Sequence, residues 1–572
     1  MSIFDKKPWL GNYPKGVPVT IDPNRYGSML ELFQETVAKF GDAPAYQSFA
    51  DRITFNELDT LTDNFASFLR NHLKLEKGDR IALQVPNLIQ YPVAMFGALK
   101  AGLVVVNTNP LYTPREMEHQ FTDAGVKAIL IYENFAHNLE KIIHKIPAEH
   151  VIVTGTGDML KGMKRHIVNF AVRYVKKMVP AFKLKGAYSF RKALALGAKK
   201  KFTADRSSRD DIAFLQYTGG TTGVSKGAML THGNIIGALE QSAAWLSPML
   251  VGEKDMSIIT ALPLYHIFAL TANCLLVFKL GGLNILVPNA RDFPAFIKIM
   301  KDNPFNMICG VNTLFNALMN HPDFASINFS SLKVSLGGGM AVQDAVAKKW
   351  QQITGCVLSE AYGLTETSPG VTINPLDGTA RMGSIGLPFP STEVKIVKDD
   401  GSEAEVGGHG ELCVRGPQVM LGYWNRVEET TEVLSEDGWF RTGDIATVDE
   451  DGYFKLVDRK KEMILVSGFN VYPNEVENVL ASYPKVLEVG AIGIPHERSN
   501  EAVKVFVVKK DESLTKEELL EFCKDKLTAY KIPKEIEFRT DLPKSNVGKI
   551  LRRVLKEQEL EKRDLASRPG IA

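Results

Sequence analysis

The sequence predicts an α/β protein with a large layered domain, a β-rich segment that completes it, and a small α+β domain at the C-terminal end. Three observations predict this. From Arg25 to about Val311, helical patterns alternate with short β-branched runs, which favours α/β layers with largely parallel sheets. From about Gly383 the runs shorten and Asp-Gly pairs punctuate them, the signature of tight antiparallel turns. Beyond Leu456 a charge cluster, VDRKKEMI, precedes a new series of helices and strands. The expected boundaries are 1–457 for the large domain (β-rich over about 383–457), 458–461 for a hinge and 462–572 for the small domain.

Taken in order, 29–40 (MLELFQETVAKF) has the apolar spacing of a helix, 80–85 (RIALQV) of a strand and 91–102 of a helix. LVVVN (103–107) and KAILIY (127–132) are short buried strands. Met256–Phe278 lacks Asp, Glu, Lys and Arg over about the length of a membrane span. It also holds Pro263, His266, Thr271 and Asn273, so a buried strand, turn and helix fits better. EVKIV (393–397), GELCVRG (410–416) and YFKLV (453–457) alternate like half-buried strands, with Asp-Gly at 400–401, 437–438 and 451–452. In DEDG (449–452) the glycine comes too early for a calcium loop, so it reads as a hairpin. The small domain reads as a helix over 474–482, strands over 486–494 and 502–509, a helix opened by the capping pair Thr515 and Glu518, and a strand over 535–539.

Composition narrows the class. The chain has 572 residues, 45% hydrophobic and 23% charged, with 68 basic against 66 acidic groups, so it is neither disordered nor uniformly basic. No nucleic-acid partner is expected, because there is no global basic excess to displace phosphate counterions. Five scattered cysteines without metal or redox spacing, and no apolar leader, lead to the expectation of a reducing, cytoplasmic setting. The near-neutral total conceals one imbalance. Thirteen Lys or Arg and no acidic residue lie within 159–204, which leaves the rest of the chain net acidic. There Met163, Ile167, Phe170, Tyr174 and Met178 recur at helical spacing. A basic amphipathic helix of that kind fits an anionic membrane surface, here the inner face of the cytoplasmic membrane.

The densest chemical signal is Tyr217, Thr218, Gly219, Gly220, Thr221, Thr222, Gly223, Val224, Ser225, Lys226, Gly227 and Ala228, after the apolar run IAFLQ. Glycines let backbone N–H groups approach an anion, threonine hydroxyls add donors, and Lys226 adds charge, which together suit a triphosphate. The spacing is not that of a Walker A loop. In order along the chain follow PLYHIF (263–268), GGGM (337–340), YGLTE (362–366), WFRTGD (439–444), DRKK (458–461) and PKSNVGK (543–549).

With these motifs in this order, residues 27–555 resemble the acyl-adenylate-forming superfamily, and within it the bacterial long-chain fatty acid–CoA ligases. The resemblance implies an adenylate-forming large domain of two α/β layered subdomains plus the β-rich one, and a mobile small domain. It implies that ATP, a fatty acid and coenzyme A are the substrates and that Mg²⁺ accompanies ATP. It puts Tyr362 and Gly363 against adenine, Thr365 near phosphate, Glu366 on Mg²⁺, Asp444 on the ribose with Arg459 beside it, and Lys549 on the carboxylate and α-phosphate. Thr222, Glu366 and Lys549 are then the catalytic set. His266, Leu270, Gly337, Gly338 and Gly339 would line the acyl pocket, with His266 a lining group and not a general base. Some long-chain members have a tryptophan gate where this chain has Leu270. Lys461 matches the hinge pivot and Gly468 the loop that turns toward coenzyme A. An aryl- or medium-chain acid–CoA ligase, or a fatty acyl-AMP ligase serving a carrier protein, remains an alternative, and a homodimer is compatible with the sequence.

Overall fold

The computed structural model describes residues 2–204, 206–218, 225–250, 255–496, 498–545 and 548–567. Two large sheets build the first part of the chain. One has eight strands in the order Gly422–Tyr423, Lys226–Thr231, Ile212–Thr218, Val104–Asn107, Arg80–Gln84, Val126–Tyr132, His150–Thr154, Tyr188–Ser189. It is parallel from Ile212–Thr218 through Tyr188–Ser189 and antiparallel at the other edge. The other has nine strands, with Leu358–Gly363, Val334–Gly337, Met307–Gly310, Ser257–Thr260 and Leu283–Leu286 forming its parallel centre. Central strands of the two sheets read VVVN in the first and SIIT and MICG in the second because both faces are buried, which removes the alternation expected of a half-exposed strand. The charge-free stretch folds as the strand Ser257–Thr260 followed by helical turns over 269–279, in the core.

The β-rich segment is a four-stranded antiparallel sheet, Glu393–Val397, Gly410–Arg415, Phe440–Val448 and Phe454–Arg459. Its last two strands are joined by the DEDG turn, where Asp449 Oδ1 accepts from the N–H groups of Asp451 and Tyr453. The strand Phe454–Arg459 runs to within two residues of Lys461 and reaches into the range expected for the hinge. Beyond it a five-stranded sheet (Ile464–Val466, Phe469–Val471, Val486–His496, Asn500–Lys509, Glu535–Arg539) packs against the helices Pro473–Ala481 and Lys516–Lys524. Thr515 caps the latter as its spacing predicts, accepting from Glu518 N at 3.2 Å while the Glu518 carboxylate accepts from Thr515 N. The five cysteines are buried and unpaired. No helix among the described residues is long and apolar enough to cross a membrane.

This topology positions the site. The segments that follow the carboxyl ends of parallel strands at Gly310 and Gly337 line one cleft with Tyr362 and Gly363, where open α/β sheets leave a crevice.

Candidate active site

The Gly/Thr/Lys motif of 217–228 begins on one strand and ends on the next. Tyr217 and Thr218 close Ile212–Thr218, and Lys226, Gly227 and Ala228 open Lys226–Thr231, paired antiparallel with Thr218 opposite Lys226. Gly219, Gly220, Thr221, Thr222, Gly223 and Val224 lie outside the described residues. The arms are held firmly. Tyr217 donates to Asp123 (2.6 Å), Arg426 pairs with the other Asp123 oxygen (3.0 Å), and the Ser225 carbonyl lies 3.2 Å from His119 Nε2. The Lys226 ammonium sits over the Tyr423 ring at 5.2 Å and 3.9 Å from Glu429.

Glu366, on the short helical turn Thr365–Thr367, is buried, and its Oε1 accepts from Tyr423 at 2.7 Å. Tyr423 therefore touches both Lys226 and the carboxylate expected on Mg²⁺, a link that sequence spacing does not reveal. Among the described residues no cluster of three or more His, Cys, Asp or Glu side chains is arranged to hold a metal. A single carboxylate suits a Mg²⁺ that arrives with phosphates, which commonly contribute most of its non-water ligands. It does not suit a resident ion.

Across the cleft, Tyr362 donates to Asp444 Oδ2 at 2.6 Å and Arg459 Nε stands 3.3 Å from Asp444 Oδ1. Asp444 and Arg459 are neighbours because their strands pair with those two residues in register. Burial raises the Asp444 carboxyl above its ordinary value, against the opposing pull of Arg459, Tyr362 and Lys549. Gly363 precedes the turn that carries Thr365 and Glu366. Glu360, two residues before Tyr362, is also in the cleft wall, and burial pushes it up to about 8.

Lys549 comes from the small domain and lines the same cleft as Tyr362, Asp444 and Arg459. Burial first, and then the Arg459 charge, push its ammonium down to about 8, with Glu462 and Asp444 opposing. Its loop is seated on the large domain by Thr313 Oγ1 donating to the Gly548 carbonyl at 2.9 Å. Gly548 has φ +85°, and a Cβ there would stand 2.7 Å from that hydroxyl, so the seat requires glycine. Lys549 is not one of several cations on a basic tail. Lys544 is bound to Glu488 and Asp541, and Arg552 is enclosed by Asp458, Glu462 and Glu477.

His266 follows the strand Ser257–Thr260, and the preceding residue is tied to the first sheet by Gln216 Nε2 donating to the Tyr265 carbonyl (2.6 Å). Burial, reinforced by the Lys549 charge, pushes His266 down to about 4, so it is neutral at pH 7. Gly337 ends its strand, and a Cβ on Gly338 would meet the Ala361 carbonyl and the Phe268 ring at 3.1 Å. Gly339 lines the cleft, whereas Leu270 is wholly buried in the helical stretch Ala269–Leu275 and does not. Lys461 lies in the turn after Phe454–Arg459, and Gly468 in the exposed turn between Ile464–Val466 and Phe469–Val471, away from the cleft.

A family model described as AMP-binding enzyme matches residues 33–424, and one described as AMP-binding enzyme C-terminal domain matches 475–549. The chain is 55% identical over 559 residues to a long-chain-fatty-acid–CoA ligase of Escherichia coli O157:H7, covering 98% of this chain and 99% of that one. It is 38% identical to the long-chain-fatty-acid–CoA ligase of Bacillus subtilis, over 97% of this chain and 99% of the relative. Among solved structures, an anthranilate CoA ligase in complex with anthranoyl-AMP shares the fold with a TM-score of 0.83 at 24% identity, over 96% of this chain and 99% of that one. ATP-bound MatB from Rhodopseudomonas palustris superposes with a TM-score of 0.79 at 28% identity, over 92% of this chain and 98% of that one.

Proposed function

The chain belongs to the AMP-binding enzyme family, and we propose that it joins long-chain fatty acids to coenzyme A, using ATP, through an acyl-AMP intermediate. One observation carries the reading: a chain with near-full-length identity to long-chain-fatty-acid–CoA ligases has a cleft shared by Lys549, Arg459, Asp444 and Tyr362.

A carboxylate is a poor electrophile at neutral pH and must be activated before a thiol attacks it. In the first step a carboxylate oxygen attacks the α-phosphorus of ATP, a mixed anhydride forms, and pyrophosphate leaves. Such transfers are accelerated by positioning and charge neutralisation without a covalent protein intermediate. Lys549 supplies charge between the carboxylate and the α-phosphate. Asp444 accepts from the ribose hydroxyls with Arg459 beside it, Tyr362 and Gly363 flank adenine, and Thr365 faces phosphate. The 217–228 loop, with Thr222 and Lys226, holds the triphosphate. Glu366 would hold the Mg²⁺ that accompanies ATP, which would offset phosphate charge there. The neutral His266, with Gly337–Gly339, borders the acyl chain, whereas Leu270, wholly buried in its helix, stays behind that wall. In the second step the coenzyme A thiol attacks the acyl carbon, the thioester forms, and AMP leaves with the electron pair of the broken bond. Rotation of the small domain (462–572) about Lys461 withdraws Lys549 and brings the Gly468 turn inward. The exposed Gly468 turn and the seated Lys549 loop support the present arrangement as the adenylating one.

The test is coenzyme-A-dependent AMP release across acids from acetate to oleate, with coumarate included. Greatest release with long-chain acids is expected. Preference for coumarate would make the enzyme an aryl-acid ligase, and no release with any acid would end the ligase reading.

A second observation favours docking of segment 159–204 on an anionic lipid surface, at the inner face of the cytoplasmic membrane. Its helix, Lys164–Phe170 continued by a wider turn to Val175, is polar inward and apolar outward. Asn169 bonds to Asp158, Lys164 to Asp51, and Arg173 to the buried Glu133. Met163, Ile167, Phe170, Tyr174, Val175 and Met178 are all at least half exposed. Lys176, Lys177, Lys183 and Lys185 flank them in the open. An apolar face rimmed by lysines suits a bilayer with anionic headgroups better than water. Co-sedimentation with phosphatidylglycerol-containing vesicles should exceed that with neutral ones and weaken with salt. Equal binding to both would contradict the electrostatic part.

A further inference from the structure

The contacts around Asp458 carry an inference that rests on the two-step reading above and deepens it. Asp458 is the penultimate residue of the large domain's strand Phe454–Arg459, and its side chain is 1% exposed. Its carboxylate accepts three hydrogen bonds, from Arg459 N (2.8 Å), Asn474 N (2.8 Å) and Arg552 Nη1 (3.0 Å). The last two donors belong to the small domain, Asn474 in the first turn of Pro473–Ala481 and Arg552 at the start of Arg552–Ser567. Arg552 also holds Glu462 (2.5 Å), Glu477 (2.8 and 2.6 Å) and the Asn474 side chain. Glu462, Glu477 and Asn474 all follow Lys461 in sequence, so a rotation about Lys461 carries them along with Arg552. Asp458 precedes the pivot and stays behind.

We infer that Asp458 is a positioning residue for adenylation: its carboxylate clasps Arg552 and the first turn of Pro473–Ala481, and so holds the small domain where Lys549 enters the cleft. The chemistry suits a releasable contact. Arg552 keeps two carboxylates after release, so it is never a buried bare cation. Asp458 loses two of its three donors and must meet water, which costs free energy only while the residue stays covered. Rotation uncovers it, so the clasp adds to the stability of one arrangement without blocking the other. The neighbouring seat contacts, Thr313 to Gly548 and Asn316 to Leu487, are neutral and contribute less to the choice between arrangements.

The test uses the full-length enzyme with Asp458→Asn, which keeps size and some accepting capacity but removes the charge. Oleate-dependent exchange of pyrophosphate into ATP should fall about tenfold or more, on the scale of truncating a buried charge pair. Thioester formation from supplied oleoyl-AMP and coenzyme A should be unchanged or faster. Trypsin should cut the linker at Arg459, Lys460 or Lys461 faster than in the wild type. Combining Asp458→Asn with Arg552→Gln should be little worse than the more severe single change, because each acts through the other. Asp458→Glu, which keeps the charge, should retain more exchange than the amide and also guards against a misfolded amide variant. Equal loss in both half-reactions, or unaltered trypsin rates, would overturn the clasp. A wild type that exchanges no pyrophosphate with any acid would end the ligase reading instead, and the trypsin rates would still decide whether Asp458 holds the domain.

Discussion

The tracts 159–204 and 544–553 are both dense in lysine and arginine, yet they direct that charge differently. In the first, Lys164 and Arg173 reach inward to Asp51 and Glu133, and the apolar side chains of the same helix face outward. In the second, Lys544 is tied to Glu488 and Arg552 to Asp458, Glu462 and Glu477, while Lys549 between them lines the cleft with no ion-pair partner among the described residues. A cation matched by a buried carboxylate fastens structure. A cation that lacks one, in a cleft, is available to a substrate. Counting charges along the chain does not separate the two cases, because the deciding carboxylates lie 40 residues away for Arg173 and 94 for Arg552.

The contrast breaks most readily at Lys549. Lys549→Ala should lower fatty-acid-dependent pyrophosphate exchange by about 10²–10³-fold, the usual cost of losing one group that stabilises transition-state charge. It should largely spare thioester formation from supplied acyl-AMP, because that step needs thiol access and not the lysine. Comparable loss in both steps would put Lys549 among the structural cations, with Lys544 and Arg552.

The same question put to the other tract has a smaller answer. Replacing Phe170 by Asp should weaken binding to anionic vesicles about ten- to a hundredfold, since one buried apolar side chain is worth about 1.5–3 kcal/mol. Pyrophosphate exchange with a soluble medium-chain acid should not change, because the helix is remote from the cleft residues in sequence and does not line it. Undiminished vesicle binding would make the outward face an ordinary solvated surface.

How much of this was legible beforehand follows from the same physics. The layered fold showed through because β-branched runs and helical spacing are local signals, and helix 29–40 and strand 393–397 have the bounds that their patterns suggest. Of the expected site, the cleft residues Tyr362, Asp444, Arg459 and Lys549 were legible as motifs because each keeps its chemistry within a few residues, while Gly219–Val224 lie outside the described residues. What stayed hidden depends on pairing across the fold. Tyr423 meets Glu366 from 57 residues away, and Asp444 meets Arg459 through strand register. Arg552 is the enclosed centre of three carboxylates that lie 75, 90 and 94 residues away in sequence. The inverted helix was half legible: its apolar spacing was plain, but only the buried Glu133 and Asp51 show which side faces the body.

The finest probe of the comparison is pH, because the cleft gives Lys549 a titration within reach of an assay. Burial and the Arg459 and Arg552 charges depress its ammonium to about 8, while Glu462 and Asp444 oppose them. The nearby His266, pushed down to about 4, is already neutral above pH 6 and adds no further limb. The protonated lysine is the form that meets carboxylate and phosphate, so kcat/KM for ATP in pyrophosphate exchange should fall as pH rises through about 8. That quantity reports the free enzyme. The loss between pH 7.5 and 9 should be several-fold, approaching tenfold per unit at the upper end as the protonated fraction declines. Bound ATP adds negative charge beside the ammonium and favours its protonated form, so the limb in kcat should lie at higher pH than the limb in kcat/KM. Arg552→Gln removes one of the two depressing charges and should move the kcat/KM limb upward, even as it loosens the clasp and lowers the rate. A merely structural arginine would lower the rate and leave the limb where it was. A profile flat to pH 9 in the wild type would mean that the lysine does not carry the charge of the adenylating step.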